Sequence, residues 1–106
     1  MFMSRTYVWT ALNSDPLFVG DMVKSYDFIT TKASYVIGTI LKRGPVDFLA
    51  HGTDYLHIRI HADALVVDGE ERRTHKRMGE MCYVACVEPE LGGARVEAYT
   101  EISPFN

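Results

Sequence analysis

Three groups of side chains in this chain could do chemistry: His57 and His61 on either side of Arg59, the pair Cys82 and Cys86, and the run Arg72, Arg73, His75, Lys76 and Arg77. Two imidazoles could share a metal ion, a thiol beside an imidazole could act as a nucleophile, and a basic cluster could hold carboxylate or phosphate groups. Spacing decides the first. Residues four apart on a strand stand about 13 Å apart, too far to chelate one ion, whereas on a helix they would share a face about 6 Å apart. Ile58 and Ile60 favour the strand, so no metal site is expected there. Cys82 and Cys86 have the same spacing, and no second cysteine pair completes a zinc site. Both are expected to fill apolar space as small hydrophobes. A Cys–His nucleophile would need one of the four histidines beside a thiol, and nothing in the sequence selects which. No phosphate loop, dinucleotide fingerprint, serine elbow or H-E-x-x-H motif occurs. The expectation is a chain without a catalytic centre and without a cofactor.

The elements that carry these residues read as strands. Tyr55 to Ala62 alternates strictly, with Leu56, Ile58, Ile60 and Ala62 inward and Tyr55, His57, Arg59 and His61 in an outward row. Leu65 to Val67 continues that strand or follows a bulge near Asp63, and Asp68-Gly69 signals a two-residue hairpin. Glu70 to Met78 admits two readings. Asp68 and Glu71 in capping-box spacing, with Gly79 beyond, would suit a two-turn helix. The lack of an apolar stripe before Met78 favours a solvated hairpin arm.

Before this region, Tyr7 to Leu12 reads as a first strand closed by the turn formers Asn13 to Pro16. Gly20-Asp21 reverses the chain into Met22 to Tyr26, where Met22, Lys24 and Tyr26 share a face. Ser34 to Leu41 is the clearest strand, ended by Lys42 to Pro45. Its Gly38 marks a bend, a bulge or the close passage of another backbone. Phe28 and Ile29 are expected to fold back onto the sheet, and Val46 to Asp54 to form an irregular arm. Met81 to Val87, apolar on both faces, reads as a central strand covered on both sides. Ala94 to Ile102 alternates again, with Val96, Ala98 and Ile102 inward.

The chain has 106 residues, 47% of them hydrophobic, which is one domain's worth with one core. A net charge of -3 gives no general attraction to phosphate, so a nucleic-acid role would rest on a local patch. The absence of a leading signal segment and of any apolar run near the length of a membrane helix, with two cysteines only, points to a cytoplasmic, reducing setting and no membrane partner. Short strands separated by turns, with hardly a helical period, predict an all-β domain over residues 1–106: a small antiparallel barrel or strongly bent sheet of about six strands.

The G-D-M-V-K-S-Y-D-F opening from Gly20, Y-V-I-G-T-I from Tyr35, the V-D-G-E turn and the later R-M-G-E-M-C-Y-V segment resemble small uncharacterised proteins of bacteriophage and metagenomic origin with an SH3-like or KOW-like layout. The resemblance spans roughly Val19 to Val87. It implies a small β-barrel and a mobile-element context, and it carries over no catalytic residue. Together these readings predict a self-associating interaction module whose binding surface includes Tyr55, His57, Arg59 and His61, with Arg72, Arg73, Lys76 and Arg77 as an adjoining basic arm. Its partner would be a protein or a single-stranded nucleic acid, the latter held by cations interleaved with aromatic faces. Tyr7, Trp9, Tyr26 and Tyr35 are a second candidate surface, or else core and dimer seam. Two other readings stay open: a small-molecule pocket or minor enzyme using His57, His61 or a cysteine, and a structural subunit of a phage or mobile-element assembly.

Overall fold

Among the described residues, runs rich for the most part in β-branched and aromatic residues and broken by turn formers give eight strands. They are β1 (Tyr7–Thr10), β2 (Pro16–Phe18), β3 (Met22–Tyr26), β4 (Ser34–Gly44), β5 (Tyr55–Val67), β6 (Glu70–Thr74), β7 (Met81–Ala85) and β8 (Val96–Ala98). The structure is a computed structural model that describes residues 5–27, 31–87 and 95–99. All pairings are antiparallel, and there is no helix among the described residues. The all-β class is as expected. Among the described residues the sheet is open rather than closed into a barrel: the main sheet runs β6-β5-β4-β3-β8 with β7 also on β5, and its two ends do not pair with each other.

The 13-residue β5 organises the sheet. One of its edges takes β4; the other is shared by β7 along Tyr55 to Arg59 and by β6 along Asp63 to Val67. Asp68 and Gly69 join β5 to β6 with φ of 51° and 80°, the left-handed pair that a tight type I′ turn demands and that glycine adopts without a Cβ penalty. Glu70 to Met78 is therefore an exposed strand followed by a turn, not a helix. The turn is tied back to β5 where Gly79 donates to the Ile60 carbonyl at 2.8 Å and Ile60 donates to that of Glu80 at 2.9 Å.

Several boundaries differ from expectation for tertiary reasons. β4 runs on through Lys42 and Arg43 to Gly44, because the first half of β5 lies beside them. Pro16–Phe18 is a strand that pairs with β1, although its proline read as part of a turn. Among the described residues β7 is an edge strand, paired only with β5, rather than a central one. Ala98 is exposed at the short β8. Phe28, Ile29 and Ile102 lie outside the described residues.

Two bulges divide the sheet. On β5, Ile60 sits opposite Gly38 and Ala62 opposite Ile37, so His61 is the extra residue; on β4, Leu41 is extra between Ile40 and Lys42. Neighbouring residues of a strand face opposite ways, so Ile60 and Ala62, which share a parity, lie on opposite faces of the sheet. The core divides accordingly. One face holds Val23, Ile40, Leu56, Ile58, Val84 and Val96 under the β1–β2 hairpin, which contributes Val8, Ala11 and Leu17. The other face, beyond the bulge, holds Tyr26, Tyr35, Ile37 and Ala64 with Leu12, Val66 and Tyr99 against them. Gly38 is the hinge of this arrangement: a Cβ there would stand 2.5 Å from the Arg59 carbonyl oxygen and 2.6 Å from Ile58 Cγ2, so the close-passage reading of that glycine holds.

Candidate functional site

Cross-strand partners share a face, and this places each candidate residue. Tyr55, His57 and Arg59 pair with Gly44, Lys42 and Thr39 on the face opposite the hairpin, and Met81 and Tyr83 stand beside them on β7. Arg59 and His61 are exposed and Tyr55 is half-buried. His57 differs from the expected outward row: it is only 9% exposed. Its Nε2 lies 3.1 Å from the Gly44 carbonyl oxygen, and its ring meets Tyr83 edge-on at 5.1 Å. His61 Nε2 instead bonds Thr39 Oγ1 at 2.7 Å. The two imidazoles thus take separate partners, and no group of three metal-ligating side chains exists among the described residues.

The thiols are on the other face. Cys82 pairs with Ile58 and, with Cys86, packs against the hairpin core; His57 is on the opposite side of the sheet from both. Burial pushes the Cys82 thiol up, against the lowering effect of a hydrogen bond with Ser25 and of nearby Arg95 and Arg77. Burial likewise raises Cys86 despite nearby Arg43. Both are free and remain protonated at neutral pH, the state of a packing residue rather than a nucleophile.

The basic arm does not form one patch. Arg72 pairs with Leu65 and Arg73 with Ala64, so consecutive arginines straddle the sheet. Arg77 forms a forked ion pair with Asp63, which raises its already high pKa. Lys76 sits exposed in the turn. Only Arg73 joins the face of Arg59, and it is committed there: Arg73 Nε donates to Glu71 Oε2 at 2.9 Å and Nη2 to the Tyr99 hydroxyl at 2.5 Å.

Arg73 belongs to a network that sequence reasoning missed. The Tyr35 hydroxyl donates to Glu71, and the Tyr26 hydroxyl donates to Glu97 at 2.9 Å, where Lys32 donates at 3.1 Å. Lys24 Nζ lies 4.7 Å from the centre of the Tyr35 ring and 5.6 Å from that of Tyr99. Burial first, then Glu97, pushes the Tyr26 hydroxyl up to about 12; burial and Glu71 raise Tyr35 as well. The Tyr35 hydrogen bond, helped by Arg73, holds the Glu71 carboxyl below its usual value. Burial alone would raise Glu97, but the bonds from Lys32 and Tyr26 outweigh it. The signal available beforehand was the shared face of Lys24 with Tyr26, and of Glu97 with Tyr99. What no single strand reveals is that these faces meet across β3 and β8.

Tyr7 and Trp9 are the remaining aromatic candidates, and Tyr7 is exposed on the hairpin with its ring edge-on to Phe18 at 6.1 Å. For Trp9 the partner is a cation. Arg43 lies over its ring at 4.9 Å and donates to Asp54 at 2.9 Å and to the Val8 carbonyl at 3.1 Å. Trp9 and Arg43 therefore clamp the β1–β2 hairpin to β4, while Tyr26 and Tyr35 are 5% and 4% exposed and serve the core. No helix among the described residues is long and apolar enough to cross a membrane. Comparison with protein-family models, with curated proteins and with solved structures finds no match to this chain, so its site has to be read from its own geometry.

Proposed function

We propose that this domain is a non-catalytic protein-interaction module whose docking surface is the sheet face centred on Arg59. The observation that carries the reading is Arg59 itself. It is exposed in mid-strand on the face opposite the main hairpin core, and it forms no ion pair with another described residue. Met22, Lys42 and His61 lie exposed around it, and Tyr55 is half-exposed further along the strand. A guanidinium on a rigid strand, ringed by apolar and hydrogen-bonding groups, suits a carboxylate on a partner segment, which it can meet with two parallel hydrogen bonds. The two free thiols fit a reducing, cytoplasmic setting.

A protein partner is favoured over single-stranded nucleic acid by the state of the cations. Of the 11 lysines and arginines, Arg5, Lys32, Arg43, Arg73 and Arg77 are already neutralised by local carboxylates. Arg72 lies on the face away from Arg59. A phosphate chain gains affinity by releasing counterions along a continuous cationic track, and here that track is broken. A Cys–His nucleophile built on His57 is disfavoured, because His57 and both thiols lie on opposite faces of the sheet. The test is fluorescence anisotropy with two labelled probes, an Asp/Glu-rich peptide and an oligothymidylate. The peptide should bind, weaken at high salt, and lose about tenfold in affinity with Arg59→Ala, while Arg72→Ala leaves it unchanged. Tighter binding of the oligothymidylate, reduced by Arg72→Ala and Lys76→Ala, would move the assignment to nucleic acid.

A further inference from the structure

The three strand edges of this sheet are not equivalent. β6 reads E-E-R-R-T and every residue in it is exposed, the charged edge that discourages strand addition. The β8 edge is met by the hairpin, where Leu12 donates to the Val96 carbonyl at 2.9 Å. β7 reads M-C-Y-V-A, carries no charge, and pairs with nothing but β5 among the described residues.

The hydrogen-bond phase shows which groups β7 leaves facing outward. Ile60 donates to the Glu80 carbonyl and Cys86 to that of Asp54, both at 2.9 Å. Hydrogen-bonded pairs alternate along an antiparallel ladder, so Cys82 and Val84 turn their peptide groups to β5. Met81, Tyr83 and Ala85 turn theirs away from the sheet.

We propose that a second copy of this chain pairs antiparallel along β7, about a two-fold axis at Tyr83. That register sets Tyr83 against Tyr83 of the partner subunit and Met81 against Ala85 of the partner subunit, the outward N–H and C=O groups of each pair exchanging two bonds. The sequence is compatible with itself in this register. No like charges meet within the strand, and the nearest charge, Glu80, falls opposite an uncharged cysteine. The side chains supply the apolar seam: Phe48, 74% exposed, stands edge-on to Tyr83 with centroids 5.7 Å apart, and the two-fold axis joins both copies of this aromatic pair into one row. A two-fold axis uses the same edge of both chains, so the assembly closes at two rather than growing as a fibre. Five residues a side with one flanking aromatic make a small interface, and the dimer is correspondingly weak.

This inference goes beyond the docking face and does not rest on it; Arg59→Ala leaves the dimer intact. Sedimentation velocity from about 5 µM to about 500 µM should show the 12.0 kDa chain passing from monomer to dimer with a dissociation constant in the micromolar to sub-millimolar range. Tyr83→Lys puts like charges across the axis and should weaken association at least tenfold. Ala85→Lys, which removes no aromatic contact, should do the same, with circular dichroism confirming that both variants keep their sheet. Arg72→Glu on the charged edge should dimerise like the wild type. A monomer throughout, assembly larger than a dimer, or a dimer indifferent to both folded lysine variants would overturn the proposal.

Discussion

At the scale of single residues, Gly38 and the two buried tyrosines have the clearest consequences. The missing side chain at Gly38 is filled by backbone, the Arg59 carbonyl at 2.5 Å from a built Cβ. Backbone in the middle of a sheet cannot swing aside as a side-chain end can, so Gly38→Ala should lower unfolding stability by about 1–3 kcal/mol, the usual cost of overpacking a filled site. The urea midpoint measures it, and an unchanged midpoint would mean that β4 and β5 slide apart freely at their bulge. Tyr26 and Tyr35 make a pH prediction. Both phenols hold their protons more tightly folded than unfolded, Tyr26 at about 12 against 10.0. Their contribution is whole below pH 10.0 and drains away as pH rises through about 12. Glu71 and Glu97 run the other way. Held below the ordinary 4.5, they contribute above that value, and the contribution is lost as pH falls through their folded values. Stability should therefore be level through neutrality and fall at both ends. Tyr35→Phe should soften the alkaline fall, because one titrating phenol is gone, and should leave Glu71 with a higher pKa. A steep loss between pH 6 and 8 would point to a histidine instead.

At the scale of elements, the β5–β6 hairpin was readable because its turn needs two left-handed residues and Asp68-Gly69 supplies them at that spot. Gly69→Ala forces a Cβ into φ 80° and should cost about 1–2 kcal/mol. β6 has no buried side chain, so the damage should stay local: hydrogen exchange should quicken at β6 amides while those of β3 and β4 keep their protection. Equal acceleration throughout would mean that β6 is part of the cooperative core. Other elements were legible in kind but not in place. β7 read as central because apolar residues occupy both of its sides. The structure gives two separate reasons for them, Val84, Cys82 and Cys86 against the hairpin core and Tyr83 against His57 and Phe48, and neither requires a second neighbouring strand. The bulge at His61 lies two residues before the one the sequence offered near Asp63 and beside Gly38 on β4, but the pattern of β5 itself does not locate it. Leu56, Ile58, Ile60 and Ala62 alternate without a break, and they can do so because both faces are buried where the strand changes sides. The same blindness hid the charge network: the like-facing pairs Lys24 with Tyr26 and Glu97 with Tyr99 are visible one strand at a time, but their meeting depends on the β3–β8 register. The basic run failed as a patch for the simplest reason, since neighbours on a strand point to opposite faces.

At the scale of the whole molecule, the question is whether the β1–β2 hairpin is a separate flap or part of one cooperative unit. Few backbone hydrogen bonds join it to the main sheet: that of Leu12 to Val96, and, just past β2, those linking Gly20 and Asp21 to Ile40. The rest of the attachment is burial and the Arg43 clamp. Val8, Ala11 and Leu17 are 2%, 5% and 0% exposed against Val23, Ile40, Leu56, Ile58, Val84 and Val96, and without the hairpin that face of the sheet would be bare. The hairpin cannot stand alone either, since an isolated pair of short strands is marginal in water. Each part therefore depends on the other, and the two should unfold together. Leu17→Ala removes the most buried side chain of the hairpin and should cost about 2–5 kcal/mol through lost transfer energy and the cavity left behind. The informative measurement follows the variant with two probes, Trp9 fluorescence for the hairpin and far-ultraviolet circular dichroism for the sheet. Coincident transitions, both shifted to lower denaturant, are expected of a single core. A Trp9 transition that precedes loss of the sheet would make the hairpin a detachable cover, and would place the weakest seam of the molecule on the face away from Arg59.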